Sequence, residues 1–205
     1  MDRRRFLHVS IFSSLAWKET SLMAGGTEGK GPVIVSAGRR VDAPDAQTPR
    51  FPPGNVNEVR QRIVTFFAKE SPSAVVCSAA CGTDLLVLEV ARQARVMREV
   101  LLGAEPAVFR KESVTDRPGD WGEMFDEVMR SAKVEVLKLP SGQEGYLQTN
   151  LDLLDRAEAL AKKFEASVKA LIIWNGQSRG SDDVTGHFLE QAKRRGIPVT
   201  QISTL

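Results

Sequence analysis

Short apolar runs alternate along this chain with stretches in which apolar residues recur at helical spacing. Val33-Ile34-Val35, Ala74-Val75-Val76-Cys77, Val100-Leu101-Leu102 and Ala170-Leu171-Ile172-Ile173-Trp174 are continuous apolar runs, which predicts buried strands. The last is the most apolar and is expected near the middle of a sheet. Val134-Glu135-Val136-Leu137-Lys138-Leu139 alternates, as a half-exposed strand near an edge would, and residues 197–202 read as a closing strand. Between these runs, Val59, Ile63, Phe66 and Phe67 share one helical face, with Asn55 as the expected cap and Glu58 completing a capping box. Residues 83–91 are apolar over most of a helix surface and predict a buried helix. Trp121, Met124, Phe125, Val128 and Met129 form another stripe, and Leu147, Leu151, Leu154, Ala157, Ala161 and Phe164 a longer one. A last helix is expected over 183–195, ended by Gly196. A Pro-rich loop occupies 37–54. Strands alternating with helices predict an α/β fold: a Rossmann-like, doubly wound, mostly parallel sheet of five to six strands with helices on both faces. One such domain is expected over 31–205, preceded by a leader or flexible extension over 1–30.

Composition narrows the function classes. The 205 residues carry 28 Lys and Arg against 26 Asp and Glu, a net charge of +2. Arg3, Arg4, Arg5 and Lys18, opposed by Asp2 and Glu19, hold all of that excess, so that 24 charges of each sign remain in the other 183 residues. A neutral body implies no general nucleic-acid binding, which draws on a cationic surface. Within it, residues 39–62 hold a local excess of two: Arg39, Arg40, Arg50, Arg60 and Arg62 against Asp42, Asp45 and Glu58. That excess points to a small anionic partner at one edge of the sheet. The two cysteines cannot form a disulfide framework, and the two histidines cannot build a His-rich metal site, so neither metal nor cofactor is expected. Cys77, Cys81 and His187 can be read as a thiol and its base, but neither cysteine has a cation beside it in sequence, and buried cysteines are common.

The first 22 residues include Arg3-Arg4-Arg5-Phe6-Leu7, which fits a twin-arginine export pattern. The apolar stretch after it is short, Lys18-Glu19 interrupts it, and no small-residue cleavage site follows. A cytoplasmic protein whose true start is Met23 is the simpler expectation, with export as the alternative. No apolar run approaches the ~18 residues of a membrane span.

Chemistry is expected where strands end, because ligands of open α/β sheets bind outside the carboxyl ends of the strands. The first such end is Ser36-Ala37-Gly38-Arg39-Arg40-Val41-Asp42, continued by Arg50-Phe51-Pro52. Gly38 lets the backbone approach a ligand, and the arginines can hold phosphates. Local pairing of Arg40 with Asp42, and Phe51 closing the core, is the alternative. The second end is Ser78-Ala79-Ala80-Cys81-Gly82-Thr83-Asp84, whose small residues before a helix suit a phosphate cradle. Asp84 either caps that helix or accepts hydrogen bonds from a ribose. The third end offers Trp174, Asn175 and Gly176, with Thr185 as a hydroxyl at a helix start. Trp174 either stacks on a base or belongs to the core. Asp182 and Asp183 suit the helix dipole and disfavour an anion there. For a hydrolytic function the candidate carboxylates are Asp84 and Glu89.

Gly38-Arg39-Arg40-Val41-Asp42, Arg50-Phe51-Pro52 and Ala80-Cys81-Gly82-Thr83-Asp84-Leu85-Leu86-x-Leu88-Glu89 together resemble a bacterial branch of the SLOG superfamily. This superfamily comprises Rossmann-like domains related to the DNA-processing protein Smf/DprA and to the LOG phosphoribohydrolases. Pro106-x-x-Phe109-x-x-x-Ser113-Val114, Trp174-Asn175-Gly176, Thr185 and Gly196-Ile197-Pro198-Val199 match as well. The resemblance implies a sensor of ADP-ribose-like molecules or nucleoside phosphates in bacterial signalling or defence. Its ligand would be held by Gly38, Arg39, Arg40, Arg50, Ser78, Cys81, Gly82, Thr83, Asp84, Trp174, Asn175, Gly176 and Thr185. The output would come through an effector partner or self-association. A nucleotide N-glycosidase is the alternative. The sequence departs from the branch where Arg39 replaces its usual His, Ser78-Ala79 its Gly-Gly, and Asn175 its Asp. The LOG glycine-rich Pro-Gly-Gly-x-Gly-Thr pattern is absent. These departures bear on hydrolysis more than on binding.

Overall fold

Val33, Ile34 and Val35 are all wholly buried, which a strand achieves only when both faces of its sheet are covered. The computed structural model describes residues 31–180 and 182–205. Expectations about the leader, the twin-arginine pattern and a start at Met23 fall outside them. Among the described residues the strands are β1 (Val33–Gly38), β2 (Ala74–Cys77), β3 (Met97–Leu102), β4 (Lys133–Val136), β5 (Val168–Trp174) and β6 (Val199–Ser203). They form one sheet in the order β4-β3-β2-β1-β5-β6, and every neighbouring pair is parallel. The helices are α1 (Val56–Glu70), α2 (Thr83–Gln93), α3 (Pro106–Ser113), α4 (Trp121–Ser131), α5 (Gln143–Phe164) and α6 (Val184–Arg194). The architecture is Rossmann-like α/β. No described helix is long and apolar enough to cross a membrane.

Alternation along the strands builds two cores. Ile34, Val75, Cys77, Val100, Leu102, Leu171 and Ile173 face α1, α2 and α4, where Phe67, Leu85, Leu88 and Phe125 meet them. Val33, Val35, Val76, Leu101, Ala170 and Ile172 face α5 and α6, against Leu154, Ala157, Leu160 and Phe188. β5 is interior, paired with both β1 and β6, but lies next to the edge strand, while β2 and β1 hold the middle of the sheet. β4 and β6 lie at the edges and are only partly buried.

Two local expectations change. Asn55 makes no side-chain cap of α1; its amide instead donates to the Thr204 carbonyl at 3.0 Å, and Glu58 pairs with Arg62 one turn on. The chain's last strand runs beside that helix end and offers an acceptor that outcompetes the capping box. A short 3-10 turn, Pro53–Asn55, leads into α1 in place of a cap. α5 also begins earlier than its apolar stripe suggests, at Gln143, with Gly142 at φ 88° before it. That extra turn reaches the ligand face of the sheet.

The long loop after β1 is pinned rather than free. Asp42 accepts from the backbone amides of Arg50 (2.8 Å) and Phe51 (3.0 Å), and its own amide donates to the Phe51 carbonyl. Phe51 is wholly buried in the α1/α2 core. The Arg40–Asp42 pairing offered as the alternative to ligand contact is therefore not made: Asp42 closes its own loop and Arg40 turns to Asp116.

Candidate functional site

Strand order reverses direction between β1 and β5, and a crevice opens there beyond the carboxyl ends of the strands, where such folds take ligands. A cavity of about 760 Å³ occupies this region. Its wall is drawn from the β1 end (Ser36, Gly38, Arg39, Arg40), the loop to Arg50, the β2 turn (Ser78, Ala80, Asp84), α3 (Phe109), the first turns of α5 (Gly142, Tyr146, Thr149, Asn150) and the α6 approach (Arg179, Thr185).

The sequence-predicted residues divide into three groups. Gly38, Arg39, Arg40, Arg50, Ser78, Asp84 and Thr185 line the cavity. Cys81, Gly82 and Thr83 are buried beneath it. Gly82 sits at φ 96°, and a Cβ there would lie 2.6 Å from the Val41 amide nitrogen and 2.9 Å from the Arg39 carbonyl oxygen. This glycine is required by the β1 loop crossing over it, so its substitution would report on packing before any ligand. The turn is also less open than an anion cradle: the amides of Ala80, Cys81 and Thr83 already donate to Asp84, Ser113 and Arg39. Trp174, Asn175 and Gly176 lie outside the lining. Trp174 borders a second, smaller cavity of about 420 Å³ with His187.

Arg39 explains much of the third group. Its guanidinium is 5% exposed and forms a two-point pair with Asp183, at 2.5 and 2.9 Å. It also donates to Asn175 Oδ1 and the Gln177 carbonyl, and lies over the Trp174 ring at 5.4 Å. The Trp174 face is thus covered by the chain's own cation, and its indole donates to Gln201. Arg39 and Asn175 stand where the resembling branch has a His and an Asp, and here they hold each other. Asp183 also caps α6 by accepting from the Thr185 amide, and it takes the Arg179 amide. Arg39, facing it, holds its carboxyl far below the usual carboxylate range, against the opposing effect of burial. Thr185 ties α6 back to β1 by donating to the Gly38 carbonyl.

Arg40 pairs with Asp116 and donates to Cys81 Sγ at 3.4 Å. Arg117 pairs with the same Asp116 and holds the Val41 carbonyl. Arg50 differs from these. Its side chain makes no hydrogen bond or ion pair with any described residue; burial, then Arg39 and to a lesser extent Arg50, depress the proton affinity of Arg179, with Asp183 and Asp182 opposing. The Arg179 guanidinium lies 3.9 Å from Asp183, and Asp182 also acts on it electrostatically. Arg60 and Arg62, counted in the sequence excess, turn instead to Glu89 and Glu58. The least compensated cation of the cavity is therefore Arg50, joined by Arg179 from far away in sequence.

Asp84 is 9% exposed, and burial pushes its carboxyl up to about 7, with the Ala80 amide and the charge of Arg40 opposing. Glu89, the other candidate carboxylate, is held by Arg60 at 3.0 and 3.1 Å on the α1 side and does not face the cavity. Burial also raises both cysteine thiols, the reverse of what a nucleophile needs. No cluster of metal-ligating side chains occurs among the described residues.

Sequence reasoning missed Tyr146, Thr149, Asn150 and Arg179. The first three precede or interrupt the apolar stripe of α5, and polar residues inside a stripe look like solvent positions. The glycines at 142 and 145 were the available signal: a Cβ at Gly145 would lie 2.0 Å from the Pro140 carbonyl oxygen, so the helix start is pressed onto the preceding loop.

No family model and no curated protein matches the chain. Two solved structures resemble it. DNA processing protein A (DprA) from Streptococcus pneumoniae is 13% identical with a TM-score of 0.39, over 84% of this chain and 59% of that one. DprA from Helicobacter pylori, described for its single-stranded DNA binding mode, is 13% identical with a TM-score of 0.38, over 83% of this chain and 75% of that one. This chain thus spans less than two thirds of the length of the first. The expectation of no general nucleic-acid binding is withdrawn. A whole-chain charge sum is the wrong measure, because phosphates are met by locally gathered cations.

Proposed function

We propose that this chain binds a small anionic, nucleotide-derived ligand, an ADP-ribose-like molecule or a nucleoside phosphate, in the cavity at the β1/β5 switch point. The observation that carries this reading is the Arg50 guanidinium, without a partner among the described residues, beside Arg179 at the wall of a 760 Å³ cavity. Arg50 pairs with no carboxylate among the described residues, and Asp183, 3.9 Å from Arg179, is already committed to Arg39, so an anion at the two guanidiniums offsets their mutual repulsion. The volume falls within the range of small-ligand pockets, roughly 300–1,000 Å³. The motif resemblance to the SLOG branch supports the same ligand class and a sensor role in bacterial signalling or defence. Output would pass through an effector partner or self-association.

A thermal-shift series with AMP, ADP-ribose, NAD and cyclic nucleotides at ~1 mM tests the proposal. A ligand at ~100 times its dissociation constant adds ~2.7 kcal/mol, which raises the midpoint by several degrees for a domain of this size. No shift with any of them, or a shift with a single-stranded oligonucleotide alone, contradicts a small-ligand pocket.

One observation favours a hydrolytic alternative. Asp84 lines the cavity with its carboxyl near 7, where a general acid works. It would act without Glu89. Release of free base from the same nucleotides, followed by chromatography and lost in Asp84→Asn, is the expected result if this alternative holds.

A further inference from the structure

Tyr146 is the chain's single tyrosine and the only exposed aromatic among the described residues. Phe51, Phe125 and Phe188 are wholly buried, and Trp121 and Trp174 nearly so, whereas Tyr146 is 42% exposed. It lies in the cavity wall, on the first turn of α5, and its hydroxyl has no partner among the described residues. Its placement is fixed by backbone. Gly142 enters the helix at φ 88°, Gly145 packs against the Pro140 carbonyl too closely for any side chain, and the Tyr146 amide closes the turn onto Gly142. An aromatic ring on a rigid helix start costs little to order when a flat partner lies on it. The same helix end carries no side-chain cap, so its positive end is left toward the cavity that Arg50 and Arg179 line.

The cavity thus has two different recognition features, the Arg50 guanidinium, which no described carboxylate pairs, and an uncovered aromatic ring. A sugar phosphate would use only the first. Trp174, the aromatic that the sequence offered for stacking, is already covered by Arg39, which leaves Tyr146 as the uncovered ring.

We propose that the ligand is a base-bearing ribonucleotide whose base stacks on Tyr146 while its anionic group lies at Arg50 and Arg179. This rests on the function proposed above and adds the requirement for a base. Stacking of a base on an aromatic side chain is sequence-tolerant, so it selects for a base without fixing which one.

The test is an equilibrium titration of wild type, Tyr146→Ala and Tyr146→Phe with three probes. AMP and ADP-ribose bear a base; ribose 5-phosphate carries the phosphate without one. Tyr146→Ala is expected to weaken AMP or ADP-ribose about tenfold, within the range of a lost stacking contact. Tyr146→Phe should restore it, and ribose 5-phosphate should bind all three proteins alike. Because the side chain is exposed, both variants should keep the wild-type melting temperature. A base-bearing ligand that binds Tyr146→Ala as tightly as wild type overturns the assignment. So does an equal loss for ribose 5-phosphate, or ribose 5-phosphate as the only probe that binds. If none of the three binds the wild type, the proposed function itself fails, and this assignment with it.

Discussion

Replacing Asp84 by Asn should make the protein more stable at pH 8 and leave it unchanged at pH 4. In the folded chain burial pushes the Asp84 carboxyl up to about 7; in the unfolded chain it titrates near ~3.9. A carboxyl with a raised folded value contributes its full stabilisation below the unfolded value and loses it as pH rises through the folded one. Between pH ~4 and ~7 the unfolded chain therefore gives up a proton that the folded chain keeps, and stability falls. Three units at ~1.36 kcal/mol each put the full cost at about 4 kcal/mol. Asn has the same shape, carries no charge, and still offers an oxygen to the Ala80 amide, which Asp84 now accepts at 3.3 Å. Urea midpoints of the two proteins should coincide at pH 4 and separate progressively to pH 8, with the variant higher. Parallel curves would mean that Asp84 is solvated and ionised throughout. The neutral carboxyl also matters for binding, because below pH 7 the cavity wall presents one fewer negative charge to an anion.

Asp183→Ala should be the most destabilising single change at this end of the sheet. It leaves the Arg39 guanidinium, 5% exposed, without its two-point partner, and removes the cap of α6. Breaking a buried pair by deleting one member costs about 3–5 kcal/mol, because the remaining charge stays buried. The cap adds about 1 kcal/mol. Arg39→Leu combined with Asp183→Ala should recover a large part of the loss, since no orphan charge remains. A double-mutant cycle by urea unfolding measures this, with a coupling of at least ~2 kcal/mol expected and one under ~0.5 kcal/mol refuting the pair. The pH sign is opposite to that of Asp84. The folded Asp183 carboxyl is held low by Arg39, so its stabilisation is present above the unfolded value and is lost as pH falls below ~4.

The two carboxyls show which parts of this molecule a sequence can disclose. Strands as apolar as β1, β2 and β5 declare themselves, because cover on both faces leaves few positions for a polar residue, Ser36 in β1 being one. The half-exposed β4 declares itself by alternation. α3 has no such signal: of its eight residues only Phe109 and Ser113 are buried, and the proline at its first position was the sole cue. At the site, proximity in sequence was a poor guide to proximity in space. Of the five arginines clustered over 39–62, one is spent on Asp183, one shares Asp116, two turn to the helices, and only Arg50 has no partner among the described residues. Arg179, which joins it, is more than a hundred residues away and became a neighbour only when β5 paired with β1. The β2 turn was legible as small residues, but their reason was hidden. Gly82 is small because the β1 loop passes over it. Tyr146 was invisible because its helix start has no apolar face to mark it.

The most direct test of the proposed pocket is a calorimetric titration of AMP and ADP-ribose into the wild type and into Arg50→Ala. The side chain of Arg50 holds no other described residue, so its loss should leave the fold intact while removing the unpartnered cation. Micromolar-to-millimolar binding by the wild type, weakened at least about tenfold in Arg50→Ala at an unchanged melting temperature, is the expected result, as for the loss of a charge-assisted contact. Equal affinity in the two proteins, or no binding of either nucleotide by the wild type, would contradict a nucleotide site at the β1/β5 switch point.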